Sequence, residues 1–225
     1  MEFNHVFLSY GERTILRDIS LTIHPWEFVF LIGTSGSGKT SFIRSIIGAL
    51  APNKWHIITD DGMKLSDLSE KQLLTYRRGV GVIFQDFKLL SKKTVYENVS
   101  FAMEVCGYED SMIRKRVPEV LSQVGLLQKK DKYIESLSGW ELQRTAIARA
   151  LIHNPRIILG DEPTGNLDPK NAEEIILLLE KLNKDGKTLL IATHDDRLVN
   201  SMKKRVITFK EGKLYSDINS GTYNI

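Results

Sequence analysis

The stretch Gly33-Thr34-Ser35-Gly36-Ser37-Gly38-Lys39-Thr40 matches G-x-x-x-x-G-K-[ST] at every fixed position. That spacing suits one task, holding a chain of phosphates. Glycines let successive backbone N–H groups turn inward around phosphate oxygens. A helix opening just after the loop aims its partial positive end at the same charge. Lys39 reaches the β- and γ-phosphates, and the Thr40 hydroxyl is offered to Mg²⁺. A chance match somewhere in a chain of this size is expected roughly once in a hundred from average residue usage. A second chemical pair, Asp161-Glu162, follows the apolar run Ile157-Ile158-Leu159. Asp161 is placed to hold the Mg²⁺ shell, commonly through water, and Glu162 to polarise an attacking water. Two adjacent carboxylates after a buried strand are costly without a cation or donors to compensate them.

These residues need elements to position them. Phe28 to Ile32 is continuously apolar and predicts a central strand covered on both faces. It leads into the glycine-rich loop, and a helix is predicted from Ser41 to Leu50. Val80–Phe84, Arg156–Gly160 and Thr188–Thr193 predict further short buried strands. His5–Tyr10 and Ile19–Ile23 show part of the period-two alternation of half-buried strands. Between about residues 91 and 152 helical spacing dominates, with helices predicted over Met112–Val124 and Ser138–Ile152. Asp168-Pro169 opens another helix as a cap residue followed by proline, running to about Asn183 and stopping near Gly186. Strands alternating with helices imply a parallel α/β architecture. The helical block reads as an insertion within one domain spanning 1–225.

Composition sets outer limits. The chain has 225 residues, 42% hydrophobic and 26% charged, enough to bury a core. The net charge of +3 is too small to argue for nucleic acid. The single cysteine, Cys106, allows no intramolecular disulfide and suits a reducing compartment. The N-terminus shows no basic region followed by an apolar run, so no signal peptide is expected. No apolar run approaches the ~20 residues of a spanning helix, so any membrane role is expected through a partner.

With these motifs in order, the sequence resembles the ABC ATPase family over almost its whole length. Leu137-Ser138-Gly139-Trp140-Glu141-Leu142-Gln143-Arg144 is similar to that family's signature. The resemblance implies a P-loop NTPase fold of the ABC nucleotide-binding type. It has a RecA-like parallel-sheet core, an N-terminal antiparallel β subdomain and an inserted helical subdomain. It also implies roles. Gln85 senses Mg²⁺ and the membrane partner. Gly165-Asn166-Leu167-Asp168 crosses to a second subunit. His194 is the switch histidine, and Tyr10 stacks on adenine. The nucleotide-binding set runs on to Ser41. Ser138 and Gly139 face the γ-phosphate of ATP held by the other copy of a homodimer. The residues agree with this last role, because Ser138-x-x-Glu141 fits a capping box at a helix start.

The stretches Gly81–Leu90 and Lys93–Val99 are similar to the branch of the family that acts in bacterial cell division. That branch implies an FtsX-like integral membrane partner, control of peptidoglycan hydrolases, and no transported substrate. The expected location is the cytoplasmic face of the inner membrane at the division site. An ATPase of a lipoprotein-release or macrolide-type exporter system, and a nucleotide-binding scaffold with little turnover, stay open as alternatives. Three positions depart from the family pattern: Trp140 stands for the second signature glycine, Leu142 for a glutamine, and Trp26 for another glycine. Trp140 predicts slow hydrolysis if the glycine is needed for a positive φ or close approach. Otherwise the indole folds aside.

Overall fold

In a computed structural model, residues 1–50, 54–59 and 61–224 are described, with backbone only for 54–56. The chain begins with β1 (Glu2–Tyr10) and β2 (Arg13–Thr22), an antiparallel hairpin joined through Tyr10 and Arg13. Next come β3 (Phe28–Ile32) and α1 (Lys39–Ile46). Strand β4 (Lys54–Ile58) pairs with β1 and completes a three-stranded antiparallel sheet in the order β2-β1-β4. Then follow α2 (Glu70–Arg78), β5 (Val80–Ile83), α3 (Val95–Glu104), α4 (Asp110–Gln123) and α5 (Gly139–Leu151). The chain continues with β6 (Ile157–Asp161), α6 (Pro169–Lys184), β7 (Thr188–Ala192), α7 (Asp196–Met202), β8 (Arg205–Lys210) and β9 (Lys213–Ile218). The second sheet has the order β5-β6-β7-β3-β8-β9, parallel except for the β8–β9 pair.

Strand β3 sits between β7 and β8, and all five of its residues are buried. Phe28, Phe30 and Ile32 face one core, shared with the helical layer of α3 to α6. Val29 and Leu31 face a second core, built with α1 and the antiparallel sheet. A strand covered on both faces has no polar side, so its apolar run is continuous.

Several boundaries differ from expectation. Helix α1 begins at Lys39 and ends at Ile46, four residues short of Leu50, because Gly48 turns the chain in the left-handed region at φ +62°. Helix α5 starts one residue later than predicted, with Ser138 as its cap. Asp168 caps α6 by accepting the Asn171 N–H at 3.1 Å, Pro169 takes the first turn, and Gly186 follows the end at φ +88°. Strand β9 was not predicted; its six residues lack a long apolar run and are held by pairing with β8.

Trp26 has a reason to be glycine. It sits at φ +66°, in the left-handed region, with 72% of its surface exposed. The loop keeps that conformation because the Trp26 N–H donates to the Thr188 hydroxyl at 2.9 Å and its carbonyl accepts from Asn183 Nδ2 at 2.7 Å. Both bonds use the backbone and so do not depend on the indole. Left-handed backbone costs a non-glycine residue about 1–2 kcal/mol. Replacing Trp26 with glycine relieves that strain but loosens the unfolded chain. Trp26→Gly is therefore expected to raise unfolding stability by about 0.5–1 kcal/mol, read from urea midpoints at unchanged slope.

Candidate functional site

Strand β3 delivers the loop 33–38, and α1 receives it. The two end glycines of the loop are forced by contact as well as by conformation. A Cβ on Gly33 would lie 2.3 Å from the carbonyl oxygen of Phe209 in β8. Gly38 is at φ +108°, where a Cβ would lie 2.7 Å from Leu16 of β2. So the loop is pressed between the two sheets and held open in a fixed shape. Its helix, α1, has no side chain capping the N-terminus. Free N–H donors at a helix start attract anions. The Ser37 hydroxyl is buried and unpartnered.

Lys39 Nζ donates to the carbonyls of Gly33 at 2.7 Å and Thr34 at 3.2 Å, which folds its side chain back over the loop. Burial pulls its pKa below the ordinary lysine value, while the charges of Glu162 and Asp161 oppose that shift. Among the described residues this partly buried ammonium donates hydrogen bonds to carbonyls alone and to no anion. A phosphate chain supplies that anion.

Thr40 Oγ1 donates to Asp161 Oδ1 at 3.0 Å, joining α1 to the last residue of β6 across 121 residues of chain. Thr40 and Asp161 offer a divalent cation one hydroxyl and one carboxylate. Among the described residues no group of three or more His, Cys, Asp or Glu gathers to hold a metal. That sparse donor set fits Mg²⁺, which keeps waters and takes phosphate oxygens beside one or two carboxylates. It does not fit a metal that needs a cage of protein ligands.

Glu162 is next to Asp161 and stands at φ +53°. Its N–H donates to the Ala192 carbonyl at 2.9 Å, so β7 fixes the strained turn. The carboxylate, 14% exposed, lies 2.9 Å from His194 Nδ1 and accepts the His194 N–H at 3.2 Å. A carboxylate fixed by two donors, beside a cradle for phosphate, can orient a water molecule. Strained backbone held by its surroundings commonly marks such positions.

Gln85 follows β5 and is exposed. Its carbonyl accepts from Asn166 Nδ2 at 2.8 Å, and its side-chain amide lies against Gly165, whose other neighbour is Glu162. Tyr10, half exposed at the end of β1, shares a hairpin with Leu16, the residue that touches Gly38. Asp168 is exposed, and its carboxyl is held below the usual range by hydrogen bonds from Asn171. Thr34, Ser35 and Gly36 complete the loop on its exposed side, and Ser41 continues α1.

Ser138 and Gly139 form a separate group. Both are exposed at the start of α5. Gly139 faces Leu167 of the 165–168 loop, where a Cβ would meet Leu167 Cδ2 at 3.6 Å. Among the described residues, no hydrogen bond joins either of them to the cradle of the same chain. Trp140 lies in ordinary helical backbone in the first turn of α5, so no positive φ was required of the glycine it replaces. Its ring is partly buried, with the Arg144 guanidinium 5.1 Å from the centroid. The indole has folded aside along the helix. Leu142 turns partly into the helical core.

Chemistry, not volume, marks this site. A cavity of about 500 Å³ lies at the other end of the strands, lined by Thr59, Met63, Tyr76, Val80, Arg156 and Ile157. It contains none of the cradle residues.

One contributor has no sequence signal. Phe87 and Lys88 both take left-handed backbone, at φ +57° and +51°. Arg149 of α5 holds them, donating to the Lys88 carbonyl at 2.5 Å and the Phe87 carbonyl at 2.7 Å. It ties the loop after Gln85 to the helix opened by Ser138. Nothing in the spacing of an arginine 62 residues away reveals that contact.

A parallel sheet whose buried strand β3 runs through a glycine-rich loop into α1 is the fold of a P-loop NTPase. The ABC transporter family profile matches residues 16–165, and the chain belongs to that family. It is 45% identical to the cell division ATP-binding protein FtsE of Bacillus subtilis, over 99% of this chain and 98% of that protein. Among solved structures it resembles the dimeric ABC transporter cassette MJ0796, with TM-score 0.87, 35% identity and 99% of each chain covered. It also resembles a dimeric post-hydrolysis state of MJ0796 bound to ADP and Pi, with TM-score 0.86, 34% identity and 99% of each chain covered.

Substituting Arg149→Met is expected to cost about 2 kcal/mol of stability, as two charge-assisted hydrogen bonds are lost. Amide hydrogen exchange should speed up in residues 86–90 ahead of the strands. Unchanged exchange there would show that the loop holds itself.

Proposed function

We propose that this chain is the ATP-binding and ATP-hydrolysing subunit of an FtsEX-like complex in bacterial cell division. It couples ATP-driven dimer closure to an FtsX-like integral membrane protein and thereby to peptidoglycan hydrolases. The observation that carries this reading is the Thr40–Asp161 hydrogen bond at 3.0 Å beside Lys39, with the Glu162–His194 pair next to it. The near full-length likeness to a cell-division relative favours this branch over an exporter.

In this reading the loop from Gly33 to Thr40 and Ser41 binds the phosphates of ATP, and Tyr10 packs against the adenine. Thr40, Asp161 and Gln85 are the residues that would hold Mg²⁺, which when bound neutralises and orients phosphate oxygens. Glu162 accepts a hydrogen bond from the attacking water and draws off its proton. His194 keeps that carboxylate aimed. Ser138 and Gly139 complete the site of a second copy, since their group stands apart from the cradle of its own chain. Asp168 and its loop lie at that contact. A helix start with free N–H donors then meets the γ-phosphate, and ATP holds two chains together head to tail.

No helix among the described residues is long and apolar enough to cross a membrane. Attachment to the cytoplasmic face of the inner membrane, at the division site, therefore runs through the partner. Helices α3 to α5, within the proposed 91–152 subdomain, are the surface offered to it.

Lys39→Ala is expected to weaken ATP binding roughly 30- to 100-fold, the loss of a charge-assisted contact, read with a fluorescent nucleotide. Unchanged affinity would remove Lys39 from the site. Glu162→Gln should keep ATP affinity while turnover drops roughly 10²- to 10⁴-fold and nucleotide-bound dimers accumulate in sedimentation. Fast turnover in that variant would move the proton acceptor elsewhere. Because the Trp140 indole lies along its own helix, Trp140→Gly should change turnover of the complex with the membrane partner less than threefold. A large rise would mean that the ring blocks closure.

A further inference from the structure

Glu141 is the least typical carboxylate near the proposed site. Its side chain is only 5% exposed, although it stands one turn into a helix start that faces outward. One carboxylate oxygen, Oε2, accepts both the Ser138 N–H at 2.9 Å and the Ser138 hydroxyl at 2.7 Å. The other, Oε1, accepts from Lys129 Nζ in a close ion pair. Burial opposes its ionisation, but the hydrogen bonds from Lys129 and Ser138 prevail and hold the carboxyl below the usual range.

A capping glutamate needs only the helix start itself. Lys129 belongs to another segment, the short turn Leu127–Lys129, and is not part of any cap. That turn is anchored: the carbonyls of Lys130 and Lys132 accept the N–H groups of Tyr96 and Val95 at the head of α3, at 2.8 and 2.9 Å. So a fixed cation is brought to a carboxylate that already has its capping bonds.

A cation is needed there because of what the helix start must receive. A buried negative charge beside Ser138 repels an incoming phosphate and also occupies the Ser138 hydroxyl proton. We infer that Lys129 and Glu141 form a positioning pair that makes Ser138 available to the phosphate of nucleotide held by a second copy of this chain. Lys129 cancels the carboxylate charge that the phosphate would otherwise meet. It also leaves Oε1 satisfied when the Ser138 hydroxyl rotates from Oε2 to the phosphate, and the Ser138 N–H keeps Oε2 paired. The inference rests on the composite site proposed above.

The test uses the full-length chain carrying Glu162→Gln, with nucleotide-dependent dimers followed by sedimentation against ATP concentration. Adding Lys129→Met is expected to raise the ATP needed for half-maximal dimer roughly tenfold, the scale of a close charge pair at an interface. Fluorescent-nucleotide affinity of the single chain should stay within twofold, because the cradle is untouched. Lys129→Arg keeps the charge and should stay near the parent. Glu141→Gln added to Lys129→Met removes the uncompensated charge and should restore the parent's ATP demand to within about threefold. A packing role for Lys129 that does not involve the Glu141 charge would not be rescued by that second change. Equal ATP demand in Lys129→Met, or no rescue by Glu141→Gln, would overturn the pair while leaving the composite site standing. If the Glu162→Gln parent itself forms no dimers with ATP, the composite site fails, and this inference fails with it.

Discussion

Ala192, the last residue of β7, pairs with Leu31 of β3 on one side and with Asp161 of β6 on the other. Parallel strands lie about 4.8 Å apart. That one register therefore sets the lead-in to the phosphate loop, the paired carboxylates and the chain running on to His194 side by side at one edge of the sheet. The same residue accepts the Glu162 N–H and so fixes the turn at φ +53°. A shift by one residue would turn every one of these side chains to the opposite face. Because β3 is apolar on both faces, its register rests on side-chain fit, with Phe28, Phe30 and Ile32 in one core and Val29 and Leu31 in the other.

Around that edge the charges are arranged so that each leaves the next incomplete. Lys39 is half withdrawn from water and bonded to carbonyls of its own loop. Asp161 is engaged by a hydroxyl and Glu162 by a histidine. None of these pairings neutralises the cluster. The uncapped start of α1 adds further positive potential. Each feature is modest in free energy. Together they suit a ligand bearing several negative charges better than a single anion.

The helical layer is tied to that edge by one helix. Helix α5 carries Ser138 at its start, Arg144 over the Trp140 ring, and Arg149 gripping the loop after Gln85. Arg144 also donates to the Val124 carbonyl and pairs with Glu174 of α6. One helix thus joins the 85–90 loop, α6 and the surface around Ser138.

The sequence by itself determined the phosphate loop, the Asp161-Glu162 pair, the four buried strands of the parallel sheet that it predicts and the caps at Ser138 and Asp168. Each of these is a local property, readable from spacing or from a continuous apolar run. Helix ends were less legible: α1 stops at Ile46 because Gly48 turns there, and an apolar pattern running to Leu50 hides it. Only the tertiary structure decided that Trp140 lies under Arg144, that Trp26 occupies a glycine's backbone conformation, and that Lys129 meets Glu141 while Arg149 holds Phe87 and Lys88. Those contacts join residues distant in the chain or depend on φ, and neither leaves a periodic trace. Strand β9 belongs with them, for it is held by the ladder with β8 and by the Arg205–Asp217 and Thr208–Ser216 contacts across it.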